Sequence, residues 1–500
     1  MKKPKAQLLT ALIILAIAAI FFASCKSDGA AKDDGKTGGG DNATTGEIAP
    51  GETTELRDKL PDRDFGGYTF RVYTRGPADG ADRNTQIYSE GENGDLINDV
   101  IYKRQKKIED RFNINIDSIP YDYGDSSANA AQKSILAGDN AFDLLAVHGA
   151  NMAAVAQKNL LVDWISAMPY VDFEAPWWPD DETKSMRLGG KLYFTIGELT
   201  YSNVWGASCL LFNKELFKNL NIDYPYSAVK GGTWTLDKFI STVKQGSFDL
   251  DGDGAITPEN DRYGLEIYHD SVYPTCVFFC GGDKVITVHE GGRLELTAFN
   301  ERTVSIFDKF FGMMGSKAAY VFYDAAKRTD FNRTAFREGR SLFWAGLVTH
   351  VITHRDLDID IGILPCPKYD ESTPRYFTSS YLGSQVFGVP VTSPDTERTS
   401  VVVEALSAEG YRMVKPVFYE EALKRKFSRD DESEDMLDYI RDGIVFEFAQ
   451  YFGSVGGSMQ FIGTALLGQK QPDFASFYEK NETSVKKNIG KINEEYGFAD

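Results

Sequence analysis

The chain has 500 residues, of which 42% are hydrophobic and 13% aromatic. This composition is globular, and the length exceeds what one ordinary hydrophobic core accommodates, so we expect at least two lobes. The formal net charge of −19 repels phosphate backbones and anionic membrane surfaces, which argues against nucleic-acid binding.

The N-terminal segment predicts a secreted protein with a lipid anchor. Lysines at the start are followed by an apolar run from Leu8 to Phe22 and by small residues before Cys25. The run is short for a membrane-spanning helix and typical of a secretory signal. Residues 22–25 resemble the lipobox of bacterial lipoproteins, which implies a signal peptide over 1–24 and lipidation of Cys25. The alternative is an uncleaved anchor or a buried helix.

Residues 25–60 predict a flexible tether. From Lys26 to about Glu55 the sequence has almost no large apolar residue, so it cannot bury enough surface to order itself. A single lipid-bearing cysteine attaches a protein to a membrane surface without spanning it. We therefore expect the folded body, which begins near Phe65, on the outer face of the cytoplasmic membrane, or in the periplasm if the cell has an outer membrane.

Strands and helices alternate after the tether. Alternating aromatic and β-branched residues predict a strand over 67–75, and apolar residues at helical spacing predict a helix between Ile97 and Phe112. "INIDSIPY" predicts a strand, "SSANAAQKSILAGD" a small helix and "FDLLAVH" a buried strand. This order indicates an α/β layer with a mostly parallel sheet. Ligands on such sheets bind at the carboxyl ends of the strands, where the candidate residues are Arg75, His148 and Asn151.

A second α/β series starts around Trp205. "ASCLLFNKELFKNL" predicts a strand and a helix, and "TWTLDKFISTVKQ" predicts a helix with Thr233 as its N-cap. "RYGLEIY" predicts the next strand, and the chain becomes helical towards its end. We interpret Cys276 and Cys280 as small buried hydrophobic residues, although cysteines outside the cytoplasm could pair.

An acidic loop separates that helix from the next strand. Counting from Asp249, acids occupy positions 1, 3 and 5 and Gly254 occupies position 6, which matches the D-x-D-x-D-G start of a calcium loop. Position 12 is Asn260 instead of glutamate and no second helix follows, so an EF-hand sensor is not expected. We predict a structural Ca²⁺ site; the alternative is a solvated acidic turn. The predicted ligands are Asp249, Asp251, Asp253, Ala255, Thr257, Glu259 and Asp261.

Several segments follow one another in a characteristic order. They are "FDLLAVHGANMAAVAQKNLLVDW", "LLFNKELFKNLNIDYP" before "TWTLDKF", "FREGRSLFWAG", and "IGILPCPKY" before "SQVFGVPV". This order resembles the extracellular solute-binding proteins of bacterial ABC importers, in particular the carbohydrate-type, maltose-binding-like branch, over roughly residues 65–500. The resemblance implies two α/β lobes joined by a multi-segment hinge, which close on a ligand and deliver it to permease subunits. It also implies a protein that is not an enzyme.

The same resemblance implies the lobe boundaries. The chain would cross the hinge near 196–206, near 378–388 and near 430. Lobe 1 would then comprise 61–200 and 382–430, and lobe 2 would comprise 201–381 and 431–500.

Aromatic and polar residues at these crossings are the candidate ligand contacts. Sugars are held by aromatic faces together with a few well-placed polar groups. The first crossing, "ELTYSNVWG", supplies the leading candidates, the second crossing supplies one more, and Trp344 is a further aromatic candidate. For any one aromatic side chain the alternative is packing in the core or at the rim, as for Trp177 and Trp178. The candidates at the crossings are Glu198, Tyr201, Asn203, Trp205 and Tyr381.

These inferences predict a monomeric, lipid-anchored receptor of an ABC importer that binds a mono- or oligosaccharide between its lobes. One alternative is a ligand-sensing or adhesive lipoprotein that has the same fold but no transporter. Another is a secreted carbohydrate-active hydrolase. The sequence has no Gly-x-Ser-x-Gly, His-Glu-x-x-His or Ser-x-x-Lys motif in a context that would support this alternative.

Overall fold

A computed structural model gives the architecture of the folded body. It describes residues 57–75, 86–121, 126–268, 273–322, 334–354, 357–380, 382, 384–419, 431–469 and 471–498. The predicted signal peptide, Cys25, most of the predicted tether and Tyr381 lie outside the described residues. None of the helices in the described ranges is both long enough and apolar enough to cross a membrane.

The folded body begins earlier than the sequence predicts. Leu60 is buried in the core, and Asp58 forms an ion pair with Arg111 at 2.8 Å. The last residues of the predicted tether therefore pack against the body.

Fourteen strands occur in the described ranges. They are β1 (Tyr68–Arg75), β2 (Ile114–Tyr121), β3 (Leu144–His148), β4 (Phe194–Thr195), β5 (Ser208–Asn213), β6 (Tyr263–Tyr268), β7 (Ile286–Val288), β8 (Leu294–Leu296), β9 (Ala319–Phe322), β10 (Ser341–Leu347), β11 (Ile361–Leu364), β12 (Thr378–Ser379), β13 (Gln385–Gly388) and β14 (Ile444–Val445).

The described α-helices connect and cover these strands. They are α1 (Leu96–Phe112), α2 (Ser126–Ala137), α3 (Gly149–Ala156), α4 (Trp164–Ala167), α5 (Asp180–Ser185), α6 (Ser202–Trp205), α7 (Lys214–Asn219), α8 (Tyr226–Lys230), α9 (Leu236–Gly246), α10 (Tyr273–Cys276), α11 (Glu301–Gly315), α12 (His350–Thr353), α13 (Thr396–Glu409), α14 (Lys415–Val417), α15 (Asp431–Asp442), α16 (Phe448–Tyr451), α17 (Gly453–Gly456), α18 (Ile462–Leu467) and α19 (Phe474–Glu495). A π-helical turn, Gly410–Val414, joins α13 to α14.

The first sheet has the strand order β2-β1-β3-β13-β4. Strand β1 runs parallel to β2 over its whole length and parallel to β3, whereas β13 is antiparallel to β3 and β4. Buried Ile114 and Ile116 alternate with exposed Asn115 and Asp117 in β2, as is typical of a strand at the sheet edge with one face in water. The predicted α/β layer is confirmed, but its sheet is mixed, with two parallel and two antiparallel pairings among the described strands.

The second sheet has the strand order β11-β5-β10-β6-β9. Its central strand β10 is buried along its whole length and runs parallel to β6 and antiparallel to β5. Strands covered on both faces read as continuous apolar runs, which explains the sequence "SLFWAGL" of β10.

Helix ends follow from capping side chains. Asp95 accepts hydrogen bonds from the backbone of Ile97 and Asn98 and begins α1 next to the predicted start. The predicted N-cap of α9 was wrong: Thr235, not Thr233, accepts from Lys238 N. The Thr233 N–H instead donates to Ala228 O at 2.8 Å and closes the preceding turn.

Two hydrophobic clusters fill the body, which forms one unit from Arg57 to Asp500. The first cluster surrounds the first sheet and includes α13 and buried residues of 445–489. The second surrounds the second sheet and includes Val414, Phe418 and Tyr419 together with α15 residues. The predicted lobe boundaries assigned 414–419 to lobe 1 and all of 431–500 to lobe 2; α15 packs as this partition implies, whereas 414–419 and the buried residues of 445–489 lie in the other cluster. The exact boundaries stay a prediction.

The predicted burial of Cys276 and Cys280 agrees with the structure. Burial also raises the pKa of the Cys280 thiol, which keeps it protonated and unreactive. Cys276 lies against Cys366, with 3.3 Å between their Sγ atoms.

Candidate ligand-binding site

A cavity of about 630 Å³ is lined by residues of both hydrophobic clusters. Trp177 and Phe446 come from the first cluster, and Tyr201, Phe418 and Tyr419 from the second. The volume lies within the range of about 300–1,000 Å³ that is usual for small-molecule sites. The cavity is therefore large enough for a small saccharide.

Three of the predicted ligand contacts line this cavity. They are Glu198, Tyr201 and Asn203, all from the segment predicted as the first hinge crossing. Trp205 from the same segment does not line the cavity but packs against two residues that do. Its ring centroid lies 5.6 Å from that of Phe418 and 6.3 Å from that of Tyr201.

The other predicted contacts lie elsewhere. Arg75 is buried at the end of β1, His148 ends β3 opposite Gln385, and Asn151 is half-buried in α3. They share the carboxyl edge of the first sheet as predicted, but none of the three lines the cavity.

Trp344 belongs to the core of the second sheet. Its side chain is fully buried in β10, and its Nε1 donates to His350 Nδ1 at 3.3 Å. Burial lowers the pKa of His350 to about 3, so this imidazole stays neutral and can accept that hydrogen bond. The prediction that Trp344 contacts a ligand is therefore corrected, because its ring is enclosed by protein.

Sequence reasoning missed the residues that 414–419 and 441–446 bring to the cavity. Lys415, Phe418, Tyr419 and Arg441 lie on either side of residue 430, where the third hinge crossing was predicted. The signal was present, because this crossing could have been searched for aromatic and charged residues as the first two were.

The aromatic wall is held in place by specific contacts. The rings of Tyr201 and Phe418 stack with centroids 4.3 Å apart. Trp177 Nε1 donates to Glu404 Oε1 at 2.8 Å, and Trp178 Nε1 donates to Glu404 Oε2 at 2.7 Å. Burial raises the pKa of Glu404 to about 7 in spite of these hydrogen bonds. Glu404 on α13 thus positions Trp177 at the cavity.

The π-helical turn that follows α13 brings Lys415 and Phe418 to the cavity. Turns of this kind are rare and occur frequently at functional sites. The turn can approach the first crossing only because residue 410 is glycine. A Cβ atom on Gly410 would lie 1.8 Å from the backbone oxygen of Glu198.

We expect the Gly410→Ala variant to lose about 3 kcal/mol of unfolding free energy, because the added methyl group forces the turn away from Glu198. Denaturant titration measures this loss. The matched control is Gly312→Ala in α11, where a Cβ atom meets nothing within 4 Å. That variant should gain about 0.5–1 kcal/mol from better helix propensity. Equal stabilities for the two variants would contradict the close approach at Gly410.

Charged groups form two ion pairs in the cavity wall. Lys415 Nζ lies 2.9 Å from Glu198 Oε1, and Arg441 Nε lies 2.7 Å from Asp442 Oδ1. Burial raises the pKa of Tyr419, so its hydroxyl stays protonated as a hydrogen-bond donor. In contrast, no described residue donates to the buried Oδ1 atom of Asn203. Buried polar atoms usually have a partner, so this acceptor is unused among the described residues.

Comparisons with known proteins identify the fold. No protein-family model and no curated protein matches the sequence. Among solved structures, the galacto-N-biose/lacto-N-biose I-binding protein of an ABC transporter from Bifidobacterium longum is 14% identical with a TM-score of 0.55, covering 85% of this chain and 99% of that one. A family 1 extracellular solute-binding protein from Bifidobacterium longum subsp. infantis is 14% identical with a TM-score of 0.53, over 85% and 99%. A cyclo/maltodextrin-binding protein in complex with maltotetraose is 14% identical with a TM-score of 0.53, over 85% and 96%.

The chain has the fold of the ABC solute-binding proteins. The likeness spans nearly the whole length of these proteins, so the match is not limited to one sheet. At identities this low it establishes the fold and leaves the ligand to be argued from the cavity.

The acidic loop of this solute-binding-protein fold brings three carboxylates together. One oxygen each from Asp249, Asp251 and Asp253 lies within 4.8 Å of the others. Two ligands of a calcium ion at about 2.4 Å can be at most about 4.8 Å apart, so the spacing fits this ion. The backbone N–H groups of Gly252 and Gly254 donate to Asp249 at 2.7 and 2.8 Å and hold its carboxylate in the loop.

The last residues of the loop hold the backbone turn together. Asp261 is buried and accepts hydrogen bonds from the backbone of Leu250 and Thr257, which lowers the pKa of its carboxyl. Thr257 Oγ1 also donates to Asp261, at 3.3 Å. Asp261 and Thr257 thus contact each other, whereas Ala255 N donates to Asp253 and Glu259 is exposed. The three aspartates are the part of the predicted ligand set that the structure groups together.

Proposed function

We propose that this protein is the substrate receptor of an ABC importer and that it binds a mono- or oligosaccharide in the cavity lined by the segments 197–204, 414–419 and 441–446. The observation that carries the proposal is the composition of the wall, in which aromatic rings and hydrogen-bonding groups alternate within a solute-binding-protein fold. Two of the solved structures named above are complexes, one with lacto-N-biose and the other with maltotetraose.

The wall suits the two kinds of surface that a sugar presents. Aromatic rings such as Trp177 and Tyr201 pack against the C–H faces of pyranose rings. Glu198 and Asn203 supply acceptors for hydroxyl groups, and Lys415 supplies donors. A hydrogen bond to a charged group contributes about 1.5–3 kcal/mol, so Glu198 and Lys415 would orient a ligand.

The proposal includes lipid attachment through Cys25, with the residues that precede Arg57 as the tether. It also includes delivery of the saccharide to permease subunits, after the halves of the molecule close on it. A ligand drives such closure only if it binds the closed state more tightly than the open state. The receptor does not transform its ligand, and turnover of a bound saccharide would overturn this part of the proposal.

We also propose that the loop at 249–253 binds a structural calcium ion. Asp249, Asp251 and Asp253 would hold the ion, which would neutralise the repulsion among their carboxylates. We expect the ion to affect stability more than ligand affinity, because none of the three aspartates lines the cavity.

A thermal-shift and calorimetric screen of the purified full chain tests the saccharide assignment. A ligand at hundredfold excess over its Kd should raise the free energy of unfolding by about 3 kcal/mol. Mono- and oligosaccharides form the test set, and peptides and polyamines are the controls. Stabilisation by a peptide or a polyamine and by no saccharide would contradict the proposal.

The Asn203→Ala variant locates the site. It should lower saccharide affinity about tenfold, because it removes an acceptor that no described residue uses. The matched control is Asn115→Ala on the exposed face of β2, which should bind like the wild-type protein. Full affinity in Asn203→Ala would mean that the ligand binds elsewhere.

A further inference from the structure

We propose that the saccharide bound by this receptor carries a carboxylate, as uronic-acid sugars do, and that Arg375 at the cavity binds that carboxylate. This inference rests on the proposed function and narrows its ligand class. It is based on the contacts that hold the Arg375 side chain at the cavity and on the N–H donors that these contacts leave unused.

The described lining of the cavity has more cations than carboxylates, although the protein is strongly acidic. The chain has 73 acidic and 54 basic residues, so an average surface is negative. Among the described lining residues the order is reversed, with cations from Lys184, Arg375, Lys415 and Arg441 and carboxylates from Glu198 and Asp442. Cations at a cavity attract ligands of negative charge.

Two of these cations already have carboxylate partners. Lys415 pairs with Glu198 at 2.9 Å. Arg441 pairs with Asp442 at 2.7 Å and with Asp438 at 3.0 Å. Lys184 also has an interaction partner of its own. The Asp438 and Asp442 carboxylates both pair with Arg441, and neither pairs with Arg375.

Arg375 is held in position by contacts that leave some of its N–H donors unused. Its Nη1 donates to the backbone carbonyl of Asp442 at 2.8 Å, and its guanidinium carbon lies 4.9 Å from the centre of the Phe377 ring. No carboxylate of the described residues pairs with it. A guanidinium has five N–H donors in a planar fork, so donors remain after the one hydrogen bond to Asp442.

A carboxylate on the ligand fits this arrangement better than the other common anions of sugars. The planar fork of arginine matches two carboxylate oxygens with two parallel hydrogen bonds. The neighbouring aromatic wall suits a pyranose ring, which in a uronic acid carries the carboxylate directly. A phosphate ester would carry up to two negative charges and usually meets a backbone amide nest or several cations, whereas a single unpaired guanidinium matches one charge.

Calorimetry with matched pairs of oligosaccharides tests the inference on the full chain. The probes are trigalacturonate against galactotriose, and cello-oligosaccharides against their glucuronate counterparts. We expect at least tenfold tighter binding of one uronate over its neutral counterpart. The preference should weaken between 50 and 500 mM NaCl because Arg375 is exposed.

The Arg375→Gln variant should bring the ratio of uronate to neutral affinity close to one. The matched control is Arg293→Gln, which removes the same charge from an exposed pair with Glu295 on the β7–β8 hairpin and should keep the preference. Glucose 6-phosphate added as a competitor distinguishes a phosphate site, and displacement of the uronate by it at equal concentration would overturn the carboxylate assignment.

The possible outcomes separate this inference from the proposed function. Tighter binding of a uronate that depends on Arg375 supports both. Tighter binding of the neutral saccharides, or a uronate preference that survives Arg375→Gln, overturns the inference and leaves a saccharide receptor. Binding of no saccharide of either kind overturns both.

Discussion

The Glu404→Ala variant should lose about 4 kcal/mol of unfolding free energy. Glu404 is 1% exposed and accepts hydrogen bonds from the indole N–H groups of Trp177 and Trp178. Removing the carboxyl leaves two buried donors without their acceptor, at about 1–3 kcal/mol each. Because Trp177 lines the cavity, the same variant should also weaken saccharide binding. Denaturant titration and calorimetry measure the two effects.

The Glu404→Gln variant keeps the shape of the side chain but removes its ability to ionise. Burial raises the pKa of Glu404 from 4.5 to about 7. The folded protein therefore keeps a proton between pH 4.5 and 7 that the unfolded chain releases, so the stability from this group is complete below pH 4.5 and is lost as the pH rises through 7. At about 1.36 kcal/mol for each pH unit, the total is about 3 kcal/mol.

Stability measured from pH 4 to 8 in both proteins isolates this contribution. The difference between wild type and Glu404→Gln should fall by about 3 kcal/mol as the pH rises from 4.5 to 7, since all other titrations are shared. Glu301→Gln, an exposed residue in the first turn of α11, is the control and should track the wild type. A difference that does not change with pH would mean that Glu404 titrates normally.

Much of the fold could be predicted because local patterns and tertiary packing agree. The alternation in β2 and the apolar spacing in α1 reflect the faces that these elements bury. The start of α9 was misplaced by two residues because Thr233 and Thr235 are equally good N-caps by type. The Thr233 N–H closes a turn onto Ala228 O, which leaves the Thr235 side chain to accept the hydrogen bond from Lys238 N and begin the helix.

The part of the cavity wall that comes from one continuous segment could be predicted from the sequence. Glu198, Tyr201 and Asn203 lie within six residues of each other, so a single predicted crossing located all three. Lys415 and Phe418 could have been listed as candidates near the third predicted crossing, but the direction of their side chains is set by a π-helical turn. That turn depends on the distant contact between Gly410 and Glu198, which no local pattern records.

Trp344 was predicted to contact the ligand but lies in the core. Its sequence context, "SLFWAG", fits a ligand-contacting aromatic and a buried strand equally well. The ring packs against Phe336, His350 and His354 on a face of the second sheet, and these contacts are not contained in the short motif. Residue type therefore identified candidate aromatics, and the sheet decided which of them faces the cavity.

The acidic loop carries the second large prediction. Calcium at a thousandfold excess over its Kd should raise the free energy of unfolding by about 4 kcal/mol, and a chelator should reverse the gain. The physical reason is that the ion binds the folded loop, in which three carboxylate oxygens lie within 4.8 Å, and not the unfolded chain. Thermal unfolding of the full chain with and without 1 mM Ca²⁺ measures the effect, with Mg²⁺ as the smaller and more weakly matching ion.

Two variants separate metal binding from the turn that supports it. Asp251→Asn keeps an acceptor for Asn260 but removes a charge, so it should abolish the calcium response and slightly stabilise the protein in chelator, where the carboxylates repel. Asp261→Asn should destabilise the protein even in chelator, because its carboxylate holds the backbone of Leu250 and Thr257. Asp308→Asn on α11 is the control for a lost exposed charge. If Asp251→Asn responds to calcium as the wild type does, the ion does not bind at the three aspartates, and the loop is the solvated acidic turn whose shape Asp261 alone maintains.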